Sequence, residues 1–433
     1  HQRPNPRTTR SQPHGEVQLA NTRSAAFPTF GGFPDVWWRI SGRFDPPNTH
    51  KHAKRVLGGG TGEGGRSQAR PLAPTPQVVQ YSTMKSFGFL SFGHYSLTPG
   101  RGPLVDEALH DQLEIARAAD ELGVNGAYFR VHHFATQAAS PMPLLSAIAA
   151  RTTRIEVGTG VIDLRYENPL YLAEEAAALD YIADGRVALG VSRGSPEEAE
   201  RGWEAFGYTG STDPRGADIA RAKFDRFLDA VEGKGMVSAD PTYYGDGIKL
   251  PVLPHSPGLR DHIWWGAGTR DTAEWAAEKG VNLMSSTLLT ETNGEAFADL
   301  QAEQIERYRA AWKNAGHANN APRVSVSRSI FPLVSDHDHQ IFGSQAHSQD
   351  QVGRIDGLVS TFGRTYAAEP DKLVEQLRND AAVMSADTLM LTIPNQLGVE
   401  LNLNILRNFA EHVAPELGWK PNTEGPVTGY TIK

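Results

Sequence analysis

Two adjacent histidines, His132 and His133, leave the aromatic and β-branched run Ala127-Tyr128-Phe129-Arg130-Val131. A strand that delivers imidazoles into a loop is a place for proton transfer, because an ordinary imidazole with a pKa near ~6.5 both takes and gives protons at physiological pH. Three further turns carry residues of chemical use: Gly158-Thr159-Gly160-Val161, Ser192-Arg193-Gly194-Ser195 and Gly266-Ala267-Gly268-Thr269-Arg270-Asp271-Thr272. In the last of these, small residues let backbone N–H groups approach a ligand while Thr269 and Thr272 add hydroxyls at a helix start, a geometry that binds phosphate. Arg193 could neutralise the same anion in bidentate fashion. Each feature also has a plainer reading, as a helix N-cap, a surface ion-pair partner or a structural histidine pair.

Two other patterns compete. Gly190-Val191-Ser192-Arg193-Gly194 matches the G-x-S-x-G nucleophile elbow of hydrolases, but such a serine needs a late histidine on a loop, and His412 stands inside a predicted helix. His337-Asp338-His339 has the spacing of metal ligands, yet no carboxylate-rich turn accompanies it, so no metal is expected.

These turns must be held by a frame, and the frame repeats. From Met84 onward, short apolar strands alternate with helical periodicity eight times. Strands are predicted at Ser86–Leu90, Gly126–Arg130, Arg154–Gly160, Arg186–Val191, His262–Gly266, Val281–Ser285, Val324–Val334 and Thr388–Ile393. Helices follow at 105–122, 143–151, 170–183, 216–232, 270–279, 296–315, 370–380 and 400–412, the first ended by Gly123. Eight β-then-α units make an α/β protein of the (β/α)8 TIM-barrel class, with insertions after strands 4, 6 and 7. An open doubly wound sheet would carry a Gly-rich turn after its first strand, where Phe92-Gly93-His94-Tyr95 stands instead. In a barrel the residues just after each strand form the site. Phe92, Tyr95, Phe129, Trp264 and Trp265 could add an apolar pocket wall there, or simply core. The polar stretch Ser335–Gly357, with Gly343, Gly353 and Gly357, reads either as a lid or as a solvated loop.

Composition narrows the function classes. Zero cysteines in 433 residues exclude disulfides and thiolate chemistry, and no apolar run reaches the ~18 residues of a membrane span. Residues 1–83 hold 11 Lys and Arg against 4 Asp and Glu, whereas the remainder holds 31 against 46. The larger part therefore repels polyanions, which argues against nucleic acid as a partner. Residues 1–83 are rich in Gly, Pro and Arg without apolar periodicity and read as a disordered extension that need not be native; a nucleic-acid-binding arm is the alternative. Residues 84–420 read as the barrel domain and 421–433 as a C-terminal tail.

Together, Tyr128 to Phe134, Arg154 to Val161, Asp184 to Gly194 and Thr272 to Ala277 occur in an order and at a spacing that resemble the bacterial luciferase-like, flavin-dependent monooxygenase family. The resemblance covers about residues 84–420. It implies a TIM barrel with insertions, reduced FMN as cofactor, and a homodimer formed through helices near strands 2 and 3. It further implies Arg193 and Arg221 as phosphate ligands, with Thr269 and Thr272 sharing that site beside Gly268. Gly160 and Val161 match the place where family members set an unusual, often cis, peptide against the flavin ring, and Ser192 lies near the ring's reactive carbon. His132, with His133 beside it, matches the histidine that assists formation or breakdown of the flavin's oxygen adduct. The sequence departs from luciferases at Val131, Ser192 and Gly268, where they carry a glutamate, a cysteine and an acidic residue, so light emission is not implied.

The resulting expectation is a cytoplasmic monooxygenase. It would use reduced FMN from a separate flavin reductase, with O2, on a small-molecule substrate, and without a membrane or nucleic-acid partner. The alternatives are an F420-dependent oxidoreductase on the same barrel, a serine hydrolase, and a flavin-binding protein without turnover.

Overall fold

In a computed structural model of the chain, residues 84, 86–194, 199–317, 321–355 and 358–425 are described. Ser195, Gly357 and the extension 1–83 lie outside them. Eight parallel strands close into a barrel: β1 (Ser86–Ser91), β2 (Gly126–Phe129), β3 (Glu156–Asp163), β4 (Val187–Ser192), β5 (Ile263–Ala267), β6 (Asn282–Ser285), β7 (Val324–Arg328) and β8 (Thr388–Ile393). The ring closes through β1, which pairs with β8 at Phe89 and Leu391 and with β2 at Phe89 and Ala127. The helices that follow the strands are α1 (Val105–Glu121), α2 (Pro141–Ala149), α3 (Pro169–Ile182), α4 (Ala217–Val231), α5 (Arg270–Glu278), α6 (Phe297–Ala315), α7 (Pro370–Arg378) and α8 (Val399–His412). The TIM-barrel class expected from the alternation is the observed one.

Period-two alternation divides each strand between two cores. Phe87, Phe89, Phe129, Val157 and Leu189 point outward into the large cluster under the helices. Leu90, Tyr128, Ala188, Trp264, Met284 and Met390 point inward and fill the barrel. Large inner rings need small neighbours: a Cβ on Gly88 or Gly126 would run into the Tyr128 ring. At the barrel's base the Tyr128 hydroxyl donates to Glu156 at 2.6 Å, and Arg323 pairs with the same carboxylate at 2.8 Å. Below them Phe87 packs edge-on against Phe409 and Trp419, and the Trp419 indole donates to Asn125 at 2.7 Å.

Two expectations change. The single strand over 324–334 splits into β7 and Ile330–Pro332, which pairs with Tyr366–Ala368 outside the barrel. Pro332 has no N–H for a central ladder, and Arg328 turns aside to bind Asp380 at 2.8 Å, so the chain leaves the barrel there. The stretch after it is a folded insert rather than a loop. Ser335 and Asp338 form a capping box on the helix Asp336–Phe342, and Gln351–Ile355 pairs antiparallel with Leu358–Phe362, which pairs in turn with Leu288–Leu289. Among the described residues no helix is long and apolar enough to cross a membrane.

Candidate active site

A cavity of about 360 Å³ opens at the C-terminal ends of the strands. Gly160, Val161, Ser192, Arg193, Arg221, Gly268, Thr269 and Thr272 all line it. Four separate stretches of chain are therefore brought to one space.

One corner is built at the start of α5. Thr269 is extended and caps the helix, its hydroxyl oxygen accepting the Thr272 N–H at 3.1 Å and lying 2.8 Å from the Thr272 hydroxyl. A Cβ on Gly268 would find its nearest neighbour 3.8 Å away, so the absent side chain leaves open space beside the helix N-terminus. Arg221 reaches this corner from α4 with its guanidinium 5.0 Å over the Trp275 ring, and Trp275 is wedged against Phe224 and Trp265. Arg193 enters from the end of β4. The loop behind it is pinned, because Gly194 has a φ of +84° and any side chain there would strike the Asp163 carboxylate. That carboxylate is itself locked to Arg165 at 2.6 Å, with both side chains buried.

The floor comes from β3, β4 and β5. The Gly160–Val161 peptide is cis, and the β3–β4 register shifts between Thr159 and Ile162 around it. A Cβ on Gly266 would meet Val161 at 3.0 Å and Ser192 at 3.3 Å, so a glycine there keeps the floor flat. The Ser192 hydroxyl accepts the Gly194 N–H at 2.8 Å. Among the described residues that line this cavity there is no histidine to serve Ser192 as the base of a hydrolase.

Neither His132 nor His133 is part of the cavity wall; Arg130 and Val131 are. His132 is only 4% exposed, and its Nε2 lies 2.8 Å from the Arg130 guanidinium. Arginine has no acceptor, so Nε2 must accept and the neutral ring carries its proton on Nδ1. Burial, reinforced by the charge of Arg130, holds the His132 pKa far below the ordinary histidine value, and His94 is pushed down to about 4 for the same two reasons. His133 stacks on Tyr166 at 4.1 Å between ring centroids, edge-on to Phe206, and burial lowers its pKa as well. Of the five aromatic residues considered for the pocket wall, Phe92 and Trp265 line it. Phe129 faces the outer core, Trp264 lies deeper inside the barrel, and Tyr95 is not in the wall.

Two lining arginines were not singled out from sequence, Arg130 and Arg215. Arg130 had a signal: it is two residues past the inward-facing Tyr128 and so shares its face. Arg215 lies in the loop before α4 and had none. The insert contributes Leu358 and Phe362 to the wall, which places part of the 335–362 segment over the site. His337 and His339 are elsewhere, on the insert's helix, where the Asp338 carboxylate accepts from Ser335 and Asn404.

Residues 84–350 match the family model described as luciferase-like monooxygenase. The chain belongs to that family. As a luciferase-like monooxygenase family member it is an oxidoreductase by class. An uncharacterized protein, y4wF, of Sinorhizobium fredii is 32% identical over 203 residues, which cover 45% of this chain and 55% of that protein. The oxygenase component of the flavin-dependent trigonelline monooxygenase of Acinetobacter baylyi is 24% identical over 310 residues, 65% of this chain and 78% of that one. Among solved structures, the oxygenating constituent of 3,6-diketocamphane monooxygenase from Pseudomonas putida, in complex with FMN, has a TM-score of 0.56 at 17% identity, over 77% of this chain and 98% of that one. An F420-dependent secondary alcohol dehydrogenase has a TM-score of 0.51 at 16% identity, over 77% and 99%. At such identities the two structures establish the luciferase-like fold alone.

Proposed function

We propose that this protein is a flavin-dependent monooxygenase that binds reduced FMN at the strand ends and uses O2 to oxygenate a small organic substrate. The observation that carries the reading is the pairing, within one cavity, of an anion corner (Arg193, Arg221, Thr269, Thr272) with a flat floor of Gly160, Val161 and Gly266. A dianionic phosphate suits the first and a planar ring suits the second. The cavity volume of about 360 Å³ lies in the range of small-ligand sites, about 300–1,000 Å³. When bound, reduced flavin supplies the two electrons with which dioxygen yields one oxygen atom for the substrate and one for water.

The chain's own residues bind, orient and exclude water. Arg193 and Arg221 neutralise the phosphate in charge-assisted hydrogen bonds. Phe92, Leu358 and Phe362 keep the cavity dry, which strengthens every polar contact inside it. His132 takes no proton near neutral pH, so its part in this reading is to orient Arg130. His133 braces the same loop through Tyr166, and Ser192 shapes the floor.

The name of the Acinetobacter relative as an oxygenase component supports a separate reductase as the source of reduced FMN. A homodimer in the cytoplasm accompanies the reading. One observation favours the alternative of an F420-dependent oxidoreductase: Arg215 also lines the cavity, and a further cation there would suit a longer anionic tail. Binding of reduced FMN against reduced F420, followed by oxygen uptake over a substrate panel, decides between them. Tighter binding of F420 with no oxygen uptake would overturn the monooxygenase reading.

A further inference from the structure

The barrel ring gives the cavity two facing sides. In the strand order β1, β8, β7, β6, β5, β4, β3, β2, the floor strands β3, β4 and β5 are separated from β7, β8 and β1 by β6 on one side and β2 on the other. The facing strands β7, β8 and β1 supply Ser327, Met390 and Leu90 to the cavity, and Phe92 follows β1. Among the described residues, no charged side chain of these three strands lines it.

Ser327 is the polar exception on that side. Val324 and Val326 lie in the outer core, so alternation turns Ser327 inward, in register with Met390. It is only 8% exposed. Its carbonyl accepts from the Arg328 guanidinium at 2.9 Å, whereas its hydroxyl has no hydrogen-bond partner among the described residues. Other hydroxyls of the cavity wall are engaged within the chain: Ser285 donates to Gln304 at 2.5 Å and accepts from Gln301 at 2.8 Å, and Thr290 donates to the Gly268 carbonyl at 3.3 Å. A hydroxyl withheld both from water and from a protein partner costs stability, and a ligand that meets it recovers that cost.

From this arrangement we propose that Ser327 selects the organic substrate: its hydroxyl donates to the neutral oxygen of a carbonyl or alcohol whose apolar body lies along Leu90, Phe92 and Met390. This rests on the reading of the floor as the place of the flavin ring, since a ring lying on β3, β4 and β5 leaves the facing side to the other reactant. An ionised group against β7, β8 and β1 would be desolvated without a countercharge from those strands, at a cost that one hydroxyl does not return. A hydrocarbon without the oxygen would leave the Ser327 hydroxyl dry and unpaired, so the serine discriminates against it.

The test uses the full-length protein with FMN bound. Acetophenone and 1-phenylethanol are titrated against ethylbenzene, and cyclohexanone against cyclohexane, with the flavin's visible absorption and calorimetry as readouts. Ser327→Ala removes a single oxygen atom and should bind at least one oxygenated probe about two- to tenfold more weakly than the wild type does, the scale of one neutral hydrogen bond. The matching hydrocarbon should bind the variant at least as tightly as the wild type, and FMN affinity should stay the same. Ser327→Thr, which keeps a hydroxyl, should retain part of the oxygenated probe's advantage. The proposal is overturned if no oxygenated probe binds the wild type, or if Ser327→Ala weakens oxygenated and hydrocarbon probes by the same factor or weakens neither. It is overturned equally if Ser327→Ala loses FMN and riboflavin alike, since the hydroxyl would then serve the flavin ring. Should the wild type bind no FMN, the monooxygenase reading fails instead, and calorimetry of the probes on the flavin-free protein still reads Ser327.

Discussion

Arg130 and His132 face each other across 2.8 Å at the end of β2, with the guanidinium donating to the imidazole Nε2. Burial first, and then the permanent cation beside it, hold the histidine in this turn neutral. The arginine faces the cavity and the histidine stands behind it.

A pH dependence of stability follows. A histidine whose folded pKa is depressed contributes stability that is present above its unfolded pKa, near ~6.5, and is lost as pH falls below it, because only the unfolded chain then takes the proton readily. His132 and His94 both act in this sense, His94 over the window from about 6.5 to 4. Glu167, raised to about 7 chiefly by burial and then by Glu175, acts in the opposite sense, so the wild-type slope alone is ambiguous. Comparison of variants separates them. His132→Gln should be less sensitive to acid than the wild type by on the order of 1–3 kcal/mol between pH 6.5 and 4.5 in urea titrations. Parallel pH curves for the two proteins would contradict the buried, neutral assignment.

The anion corner is tested by a pair of ligands. Arg193→Ala should weaken FMN by about 1.5–3 kcal/mol, the usual contribution of a hydrogen bond to a charged group. Riboflavin, which has no phosphate, should bind both proteins equally. Equal losses for the two flavins, measured by fluorescence quenching, would remove Arg193 from the phosphate.

Thr269 and Thr272 separate structure from binding. Thr269 caps α5 and Thr272 does not. Thr269→Ala should cost about 1 kcal/mol of stability, as lost N-caps do, whereas Thr272→Ala should be close to neutral. Both should weaken FMN. Thermal melts and flavin titrations on the two variants read the difference, and a Thr269→Ala protein as stable as the wild type would refute the capping role.

At the barrel base, Glu156 and Arg323 form a buried pair with side chains 3% and 10% exposed. Removing one partner leaves an uncompensated charge, so Arg323→Met should destabilise by about 3–5 kcal/mol. Adding Glu156→Leu to it should recover a large part of that loss. Two variants that simply add would show that the pair is not coupled.

Much of this protein is legible in its sequence, because strand and helix periodicity are local properties of the chain. The eight strands, the helices after them and the turns around Gly160, Ser192 and Thr269 follow from apolar spacing and from glycine and threonine at strand ends. Even the inward face of β2 is implied, since Tyr128 and Arg130 are two residues apart. What only the tertiary structure decided is which turns meet and which side chains reach the shared space. Arg215 joins the cavity because Arg165, locked to Asp163, donates to its carbonyl at 3.2 Å, a contact across 50 residues. The insert over 335–362 reaches the site because Leu358–Phe362 finds Leu288–Leu289 as a partner strand. His132 stands behind Arg130 because, past the last ladder residue, alternation no longer dictates direction, and burial with hydrogen bonding takes over. Local pattern thus set the parts of the site, and closure of the barrel chose their neighbours.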